Sequence, residues 1–230
     1  MAKRKLLIHF DGNDGDTSLI ATTGQVVTFH GTAQLDTSQK YSGSAALLLD
    51  GNSDYVTVPS SEDWNFGVGD FVVKTRIRLA ALPGADTHFV IFSRNLDGNN
   101  NWWLSLYGGV GGENPIYPHI FGYFGGVNMN HSTTIPALAA GTLYHIAFVR
   151  TGDTMYFFLD GVRYSFSSAM TEDIVSLNAP LTIGAEGTTP AGRFFNGWID
   201  EVEIKKGTSY LEPIWRKDTK SLNNWEKKYA

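Results

Sequence analysis

The sequence predicts an all-β fold in which two antiparallel sheets form a sandwich, and three observations support this prediction. The chain of 230 residues is 13% aromatic and contains 25 glycines, a combination typical of strands joined by tight turns. Apolar and polar residues alternate with a period of two in several short segments. No segment carries a helical apolar stripe longer than two turns. Short strands separated by Gly, Asp and Asn turns are typical of a β-sandwich.

The predicted strands follow one another along the chain. Segments 46–49 and 55–58 flank the turn sequence DGNSD, and segment 71–79 alternates between two faces, one buried and one solvated. The dipeptide Asp160-Gly161 stands between two aromatic-rich runs. It predicts a hairpin, because a type I′ turn needs positive φ at both central residues. Further strands are predicted over 143–149, 180–184 and 195–204.

Two stretches lack this regular succession of strands and turns. Residues 93–126 are rich in Gly, Asn and aromatic residues, and residues 127–140 are predicted to be a loop. The composition changes only near residue 205, so we predict one domain over residues 1–211 and an irregular basic C-terminal arm over residues 212–230.

The arm differs from the rest of the chain in charge. Residues 205–230 carry seven basic and three acidic residues, a charge of +4, which leaves −9 on residues 1–204. The arm also contains tryptophans, which a free tail rarely keeps. It is expected either to pack back on the domain or to dock on a neighbouring subunit. The candidate assembly residues are Trp215, Arg216, Lys217 and Trp225.

Composition excludes several classes of protein. Hydrophobic residues make up 42% of the chain, which excludes a disordered protein. The absence of cysteine excludes disulfides, thiolate zinc sites and a cysteine nucleophile. The net charge of −5 argues against broad nucleic-acid binding. No apolar run approaches the roughly 18 to 20 residues that span a bilayer, and the run at 6–8 is too short for a signal peptide. We therefore expect no nucleic-acid partner, no membrane partner and no export leader.

Six segments in order carry a resemblance to a known family: HFDG, YSGSAALLLDGNSDYVTVP, DFVVKTRIRL, LYHIAFVRTGDTMYFFLDG, LTIGA and FNGWIDEVEI. Together they resemble the laminin-G-like, concanavalin-A-like jelly-roll family over about residues 6–211. The resemblance implies an antiparallel jelly-roll sandwich of two sheets. This fold carries lectins, carbohydrate-binding modules, laminarinase-type glycosidases and adhesion domains, so it does not decide the function.

Stand-alone domains that begin with a similar HFDG segment also resemble phage virion proteins in tail or capsid positions. The chain starts directly at the domain, has no recognisable leader and carries the basic arm. We therefore expect a non-catalytic structural or recognition protein of a phage virion, made in the host cytoplasm. Its expected partners are other virion proteins or further copies of itself, bound through the arm.

The alternative is a carbohydrate-binding module or adhesin that recognises a host surface glycan. Flat aromatic rings can stack on the C–H face of a sugar, and amides beside them can bind its hydroxyl groups. The candidate ligand-binding residues are Asn99, Asn101, Trp102, Trp103, Tyr107, Tyr117 and Tyr123. Adjacent residues in a strand point to opposite faces, so at least one of the two tryptophans is expected in the core. All of them could equally be packing residues.

A glycoside hydrolase is the least favoured hypothesis for the function. Retaining glycosidases need two carboxylates about 5 to 5.5 Å apart. In laminarinase-type relatives these carboxylates lie on one strand as Glu-x-Asp-x-x-Glu, a motif that this sequence lacks. In the last predicted strand, alternation predicts that Glu201 and Glu203 are solvated and that Asp200 shares the apolar face with Trp198 and Val202. We therefore expect no catalytic residues.

The resemblance also implies one structural calcium ion. Asp200 would bind it, together with backbone oxygens near Asp11 and at Gly43. Calcium takes six to eight oxygen ligands, and a buried carboxylate needs either a cation or hydrogen-bond donors. The alternative is that backbone N–H groups satisfy Asp200.

Overall fold

The computed structural model describes residues 3–109, 116–187 and 192–207. These residues form sixteen strands and one turn of 3₁₀ helix at Glu62–Trp64. In chain order the strands are β1 (Lys3–Ile8), β2 (Ser18–Ile20), β3 (Val26–His30), β4 (Gln34–Asp36), β5 (Ala46–Asp50), β6 (Tyr55–Val58), β7 (Phe71–Leu79), β8 (Thr87–Asp97), β9 (Asn100–Gly108), β10 (Ile116–Phe124), β11 (Val127–Ser132), β12 (Leu143–Thr151), β13 (Thr154–Leu159), β14 (Val162–Ser165), β15 (Leu181–Ile183) and β16 (Asn196–Lys206).

The strands pair into two antiparallel sheets of eight strands each. Sheet A has the order β14-β13-β12-β7-β16-β5-β4, and β1 also pairs with β16. Sheet B has the order β11-β10-β9-β8-β15-β6-β3-β2. This arrangement confirms the predicted all-β sandwich of two antiparallel sheets. The predicted arm over residues 212–230, with Trp215, Arg216, Lys217 and Trp225, lies outside the described residues, and the domain boundary at residue 211 stays a prediction.

The hydrophobic core lies between the two sheets. Ile77 of sheet A and Leu104 of sheet B are both fully buried in one cluster that draws on nearly every strand. Each such side chain contributes about 1.5 to 3 kcal/mol when it is removed from water. In β7 the core residues alternate with Lys74 and Arg76, which lie on the outer face of sheet A. The alternation predicted for segment 71–79 is therefore confirmed.

The hairpin predicted at Asp160-Gly161 is also confirmed. The two residues have φ values of 48° and 84°, and Leu159 pairs with Val162 across them. Positive φ at both central positions is the geometry of a type I′ turn, whose twist matches that of the flanking strands. The backbone N–H of His145 donates to the Asp160 carboxylate and ties this turn to β12.

The loop predicted over residues 127–140 is wrong in its first half, because β11 occupies Val127–Ser132. Met129 and His131 of this strand are buried, whereas Asn128 and Asn130 are exposed. A strand with only two buried residues at an edge gives little hydrophobic signal in the sequence. Its pairing with β10 is what forms it.

The strict alternation predicted for the last strand is also wrong. The register between β16 and β7 shifts between Asp200 and Glu203, and Glu201 has a φ of 54°. A bulge of this kind inserts one extra residue, so the residues beyond it change faces. Glu203 lies opposite Lys74 on the outer face, but it is only 3% exposed, not solvated as predicted, because three basic side chains contact it. Trp198, predicted on the apolar face, is half-buried and its indole N–H donates to Asp36.

Candidate functional site

The outer face of sheet B carries a cluster of aromatic rings where β8, β9 and β10 lie side by side. In β9 the side chains of Trp102, Leu104 and Leu106 enter the core, so the intervening residues point outward. The same alternation in β8 and β10 completes the cluster. We call it the aromatic face, and it consists of His88, Trp103, Tyr107, Tyr117, His119, Phe121 and Tyr123.

Strand register aligns these rings in rows across the sheet. Tyr107 lies opposite Tyr117, and Trp103 lies opposite Phe121. Directly opposed residues in antiparallel strands have Cβ atoms about 4.5 to 5.5 Å apart, so their rings touch. The centroids of Trp103 and Phe121 are 4.3 Å apart in a stacked geometry, and those of His88 and Tyr107 are 4.5 Å apart. The rings therefore form one continuous surface.

The aromatic face has a buried base and an accessible top. Trp103 is 4% exposed, beneath Phe121 and the guanidinium of Arg193, whose central carbon lies 4.9 Å from the ring centroid. Tyr107, Tyr117 and Phe121 are half-buried and keep part of their ring surface in contact with solvent. Trp103 thus supports the surface, and the half-buried rings are the ones that a ligand can touch.

Amides border the aromatic rings on β11. Asn130 lies opposite Phe121, and Asn128 lies opposite Tyr123, and both asparagines are exposed. The side-chain oxygen of Asn130 lies 2.7 Å from Nε2 of His119. Within the described part of the chain, the buried Nδ1 of His119 has no hydrogen-bond partner. Hydrogen-bonding groups therefore stand directly beside the rings.

The aromatic face is electrically neutral. The strands β9, β10 and β11 contain no Asp, Glu, Lys or Arg. Burial, with smaller effects from His119 and Arg193, lowers the pKa of His88 to about 3. Burial also lowers the pKa of His119. Both imidazoles are therefore uncharged at neutral pH, and the charged groups stay at the edges, where Arg193 pairs with Glu186 and the Tyr107 hydroxyl donates to Asp86.

The structure brings together most of the ligand-binding residues predicted from the sequence, but not all of them. Asn101, Trp103, Tyr107, Tyr117 and Tyr123 share the outer face of sheet B. Trp102 instead lies in the core beside Phe66, and Asn99 lies in the β8–β9 turn, where its N–H donates to Asp97.

Sequence reasoning missed several residues of the site: His88, His119, Phe121, Asn128, Asn130 and Arg193. A period-two signal was available for His119 and Phe121, since they lie between Tyr117 and Tyr123 in β10.

The two glutamates of β16 each contact other side chains. Glu203 accepts hydrogen bonds from Arg4 (2.6 Å) and Lys74 (2.5 Å), and Lys205 lies 3.1 Å away. Burial alone would raise the pKa of Glu203, but the bonds from Lys74 and Arg4 outweigh it and lower the pKa to about 2. A general acid needs the opposite shift. Glu201 lies 2.9 Å from Nδ1 of His9.

The residues implied for calcium surround one loop between β4 and β5. Asp200 accepts hydrogen bonds from the backbone N–H groups of Tyr41 (2.9 Å) and Ser42 (3.2 Å), and burial raises the pKa of Asp200 to about 6. Asp11 accepts from the N–H of Ser44, and a Cβ at Gly43 would lie 1.8 Å from the Asp11 carboxylate.

Amide donors, not oxygen ligands, are thus directed at Asp200, which matches the alternative interpretation of this residue. The described residues also contain no group of three or more His, Asp or Glu that could hold a metal ion. That finding concerns side-chain groups, whereas the implied site consists of one carboxylate and backbone oxygens, so it does not test the calcium prediction. Calcium binding stays a prediction, and melting in excess chelator tests it, because an ion bound only by the folded state raises the melting temperature.

Together, the two antiparallel sheets and the uncharged aromatic face define a jelly-roll sandwich with a ligand-accessible sheet. Residues 50–208 match the family model of the concanavalin A-like lectin/glucanases superfamily, and the chain belongs to this family. The resemblance noted in the sequence is thereby confirmed. No curated protein sequence matches the chain. None of the helical segments in the described residues is long and apolar enough to cross a membrane.

Solved structures of similar fold come from several kinds of protein. Domain 4 of AbnA, an extracellular GH43 arabinanase from Geobacillus stearothermophilus solved with arabinotriose, is 22% identical, with a TM-score of 0.65 over 90% of this chain and 93% of that one. The binding domain of botulinum neurotoxin DC, solved with rat synaptotagmin II, is 15% identical (TM-score 0.63; 96% and 51% covered). The enzymatically active domain of bacteriophage CBA120 tailspike protein 2 is 16% identical (TM-score 0.56; 86% and 29% covered). At these identities the likeness shows the fold alone.

Proposed function

We propose that this protein is a non-catalytic glycan-binding domain and that its aromatic face binds a neutral saccharide. The observation that carries the proposal is the combination of half-buried rings and asparagine amides on three neighbouring strands that contain no charged residue. A sugar ring offers an apolar C–H face and several hydroxyl groups. Rings and amides side by side match both features. The lack of charged residues in β9, β10 and β11, with Arg193 already paired to Glu186, favours an uncharged ligand.

The dimensions of the aromatic face favour a chain of sugars over a single one. Tyr117 and Tyr123 stand at the two ends of β10 and are separated by about 20 Å, given a rise of about 3.3 Å per residue. Between them Phe121 offers a further ring, held in place by Trp103. Ligand hydroxyls next to Phe121 would lie beside the amide of Asn130.

The comparisons support this proposal without deciding it. One relative of similar fold was solved with arabinotriose, a short oligosaccharide, and its domain matches this chain over nearly its full length. Another is the binding domain of botulinum neurotoxin DC, solved in complex with rat synaptotagmin II. The family includes both lectins and glucanases by its description, so the assignment to binding rests on the chemistry of the site.

A glycan array followed by titration calorimetry tests the proposal. We expect binding to neutral oligosaccharides, and we expect Phe121→Ala to weaken it by about tenfold, which corresponds to about 1.4 kcal/mol. The matched control is Tyr156→Ala, which removes a half-buried ring from sheet A and should leave affinity unchanged. Absence of any glycan binding, or equal affinity in the Phe121 variant, would contradict the proposal. Incubation of each bound glycan with the protein should yield no cleavage product.

A second role, display on a phage particle, is favoured by the distribution of charge. The segment 205–230 carries +4 against −9 on residues 1–204, and within it the arm over residues 212–230 has five basic and three acidic residues, so the arm is suited to acidic neighbours. A tailspike domain of similar fold also supports this placement. We propose that the protein is a virion component fixed by Trp215, Arg216, Lys217 and Trp225 to other virion proteins or to further copies of itself. The two roles are compatible, because a virion protein can bind a host glycan.

Deletion of residues 212–230 tests the role of the arm. We expect the truncated chain to keep its melting temperature and its glycan affinity but to be lost from the assembly that the full chain joins. Light scattering of both chains, alone and with candidate virion proteins, measures this. Normal assembly of the truncated chain would contradict the proposed role of the arm and would not affect the proposal of a glycan site.

A further inference from the structure

A row of directly paired residues crosses the outer face of sheet B from β9 to the far edge of the sheet. Directly paired residues in antiparallel strands lie on the same face. The row that contains Trp103 of the aromatic face therefore shows which other side chains share that face. Beyond Trp103 it continues through Ser93, Thr182, Thr57, Thr28 and Ser18.

A second group of rings stands on this face, on the strands β3 and β6. His30 lies opposite Tyr55, two residues away from the pair of Thr28 and Thr57, so both rings share the outer face. The ring centroids of His30 and Tyr55 are 4.4 Å apart and the rings are nearly parallel, and the Phe194 centroid lies 6.5 Å from that of Tyr55. All three residues are half-buried, so each keeps part of its surface in contact with solvent. We call His30, Tyr55 and Phe194 the second ring cluster.

The second ring cluster carries hydrogen-bonding atoms that the protein leaves unused. Nε2 of His30 lies 2.9 Å from the Thr57 hydroxyl oxygen, and burial lowers the pKa of His30, so its imidazole is neutral at pH 7. Within residues 3–109, 116–187 and 192–207, neither Nδ1 of His30 nor the Tyr55 hydroxyl has a hydrogen-bond partner. Thr28, which stands beside them, is exposed. A ligand hydroxyl can therefore bond to these atoms without breaking a hydrogen bond of the protein.

The surroundings of the second ring cluster are as poor in charge as those of the aromatic face. The strands β2, β3, β6 and β15 contain no Asp, Glu, Lys or Arg. Asp54, the residue before Tyr55, is 2% exposed and accepts hydrogen bonds from the backbone N–H groups of Thr32 and Asp50. The carboxylate of Asp50 in turn accepts from the N–H groups of its own turn. Both carboxylates are therefore engaged within the protein.

Two consecutive residues connect the two groups of rings. The guanidinium of Arg193, paired with Glu186, lies over Trp103 of the aromatic face, and Phe194 stands beside Tyr55. Four strand spacings of about 4.8 Å separate β6 from β10, so Tyr55 lies roughly 20 Å from Phe121 across the sheet. An extended ligand of this length can touch both groups of rings at once.

We propose that the second ring cluster is a second saccharide subsite, which binds a further part of the neutral glycan held at the aromatic face. This inference rests on the proposed function, because it takes the ligand of the aromatic face to be a saccharide. The rings provide apolar contact for C–H groups, and the imidazole, the phenol and the Thr28 hydroxyl provide partners for sugar hydroxyls. Once one part of a chain is bound, contact with the second subsite is intramolecular and raises the affinity. Affinity therefore increases with the length of the saccharide.

Titration calorimetry of the full chain with linear gluco-, galacto-, manno- and arabino-oligosaccharides of increasing length tests this inference. We expect the long members of at least one series to bind about tenfold more tightly than the short members. Tyr55→Ala should remove this gain and leave the affinity for the short members unchanged. Phe121→Ala should weaken the binding of short and long members alike.

The matched control is Tyr156→Ala, which removes a half-buried tyrosine from sheet A and should leave both the affinity and its dependence on length unchanged. If Tyr55→Ala fails to fold, Phe194→Ala leaves β3 and β6 intact and should also reduce the gain with length. The wild-type dependence on length in the variants that fold, with Phe121→Ala weakened, would overturn the second subsite alone. Unchanged affinity in Phe121→Ala, or no binding by the wild type at any length, would contradict the proposed function and this inference with it.

Discussion

Asp200 and Glu203 lie three residues apart in one strand, yet their pKa values move in opposite directions. Amide donors from Tyr41, Ser42 and Glu201 only partly compensate the burial of Asp200, so its pKa rises to about 6. Glu203 meets three cations, so its pKa falls to about 2. The bulge between the two residues places amide donors beside Asp200 and cations beside Glu203. The spacing of the two residues in the sequence does not encode this difference.

Neutralising Glu203 should strongly destabilise the fold. Glu203→Gln leaves Arg4, Lys74 and Lys205 around an uncharged group, and breaking such a buried cluster costs about 3 kcal/mol. The folded-state pKa lies below the unfolded value, so the wild-type carboxylate stabilises the protein above about pH 4.5. That contribution disappears as the pH falls from 4.5 towards 2.

Urea unfolding of both proteins at pH 7 and pH 3 measures this effect. We expect the difference in the free energy of unfolding to be large at pH 7 and clearly smaller at pH 3. Asp63→Asn is the control, because its partly exposed ion pair with Lys5 should contribute at most about 1 kcal/mol. An equal loss in the free energy of unfolding for Glu203→Gln and Asp63→Asn would contradict the stabilising contacts assigned to the Glu203 carboxylate.

Among single secondary-structure elements, the sequence correctly predicted those that depend on a local residue pattern. The alternation of β7 and the Asp160-Gly161 turn are visible in the sequence because each depends on neighbouring residues only. The strand β11 and the bulge at Glu201 were missed. An edge strand with exposed Asn128 and Asn130 has a weak apolar pattern, and a bulge appears only when the partner strand supplies the register.

The Asp160-Gly161 turn offers a test at this scale. Gly161→Ala places a Cβ on a residue with a φ of 84°, which costs about 1 to 2 kcal/mol for an L-residue. Gly98 lies in another hairpin turn, has no positive φ and would meet no atom within 4 Å if it carried a Cβ. We expect thermal melts to show a lower stability for Gly161→Ala and little change for Gly98→Ala. Equal stability of the two variants would contradict the assigned turn geometry.

At the scale of the whole molecule, the two sheets present chemically different outer faces. Sheet B presents rings and amides on β9 to β11, whereas sheet A presents Lys74, Arg76 and Glu201. The sequence predicted five members of the sheet B site, because they lie in adjoining strands rich in aromatic residues. Arg193 could not be predicted, since a distant part of the chain brings it to Trp103, and His88 reaches Trp103 through the register of the β8–β9 hairpin, which the sequence alone does not show.

The central claim is that the aromatic face of sheet B is the place where a neutral glycan binds. The most direct measurement is a map of ¹⁵N chemical-shift changes as the tightest glycan from the array is added to the full chain. The account predicts that the largest changes fall on the side-chain amide of Asn130 and on the backbone amides of β10 between Tyr117 and Tyr123. Changes confined to sheet A, with these signals unmoved at saturation, would contradict it.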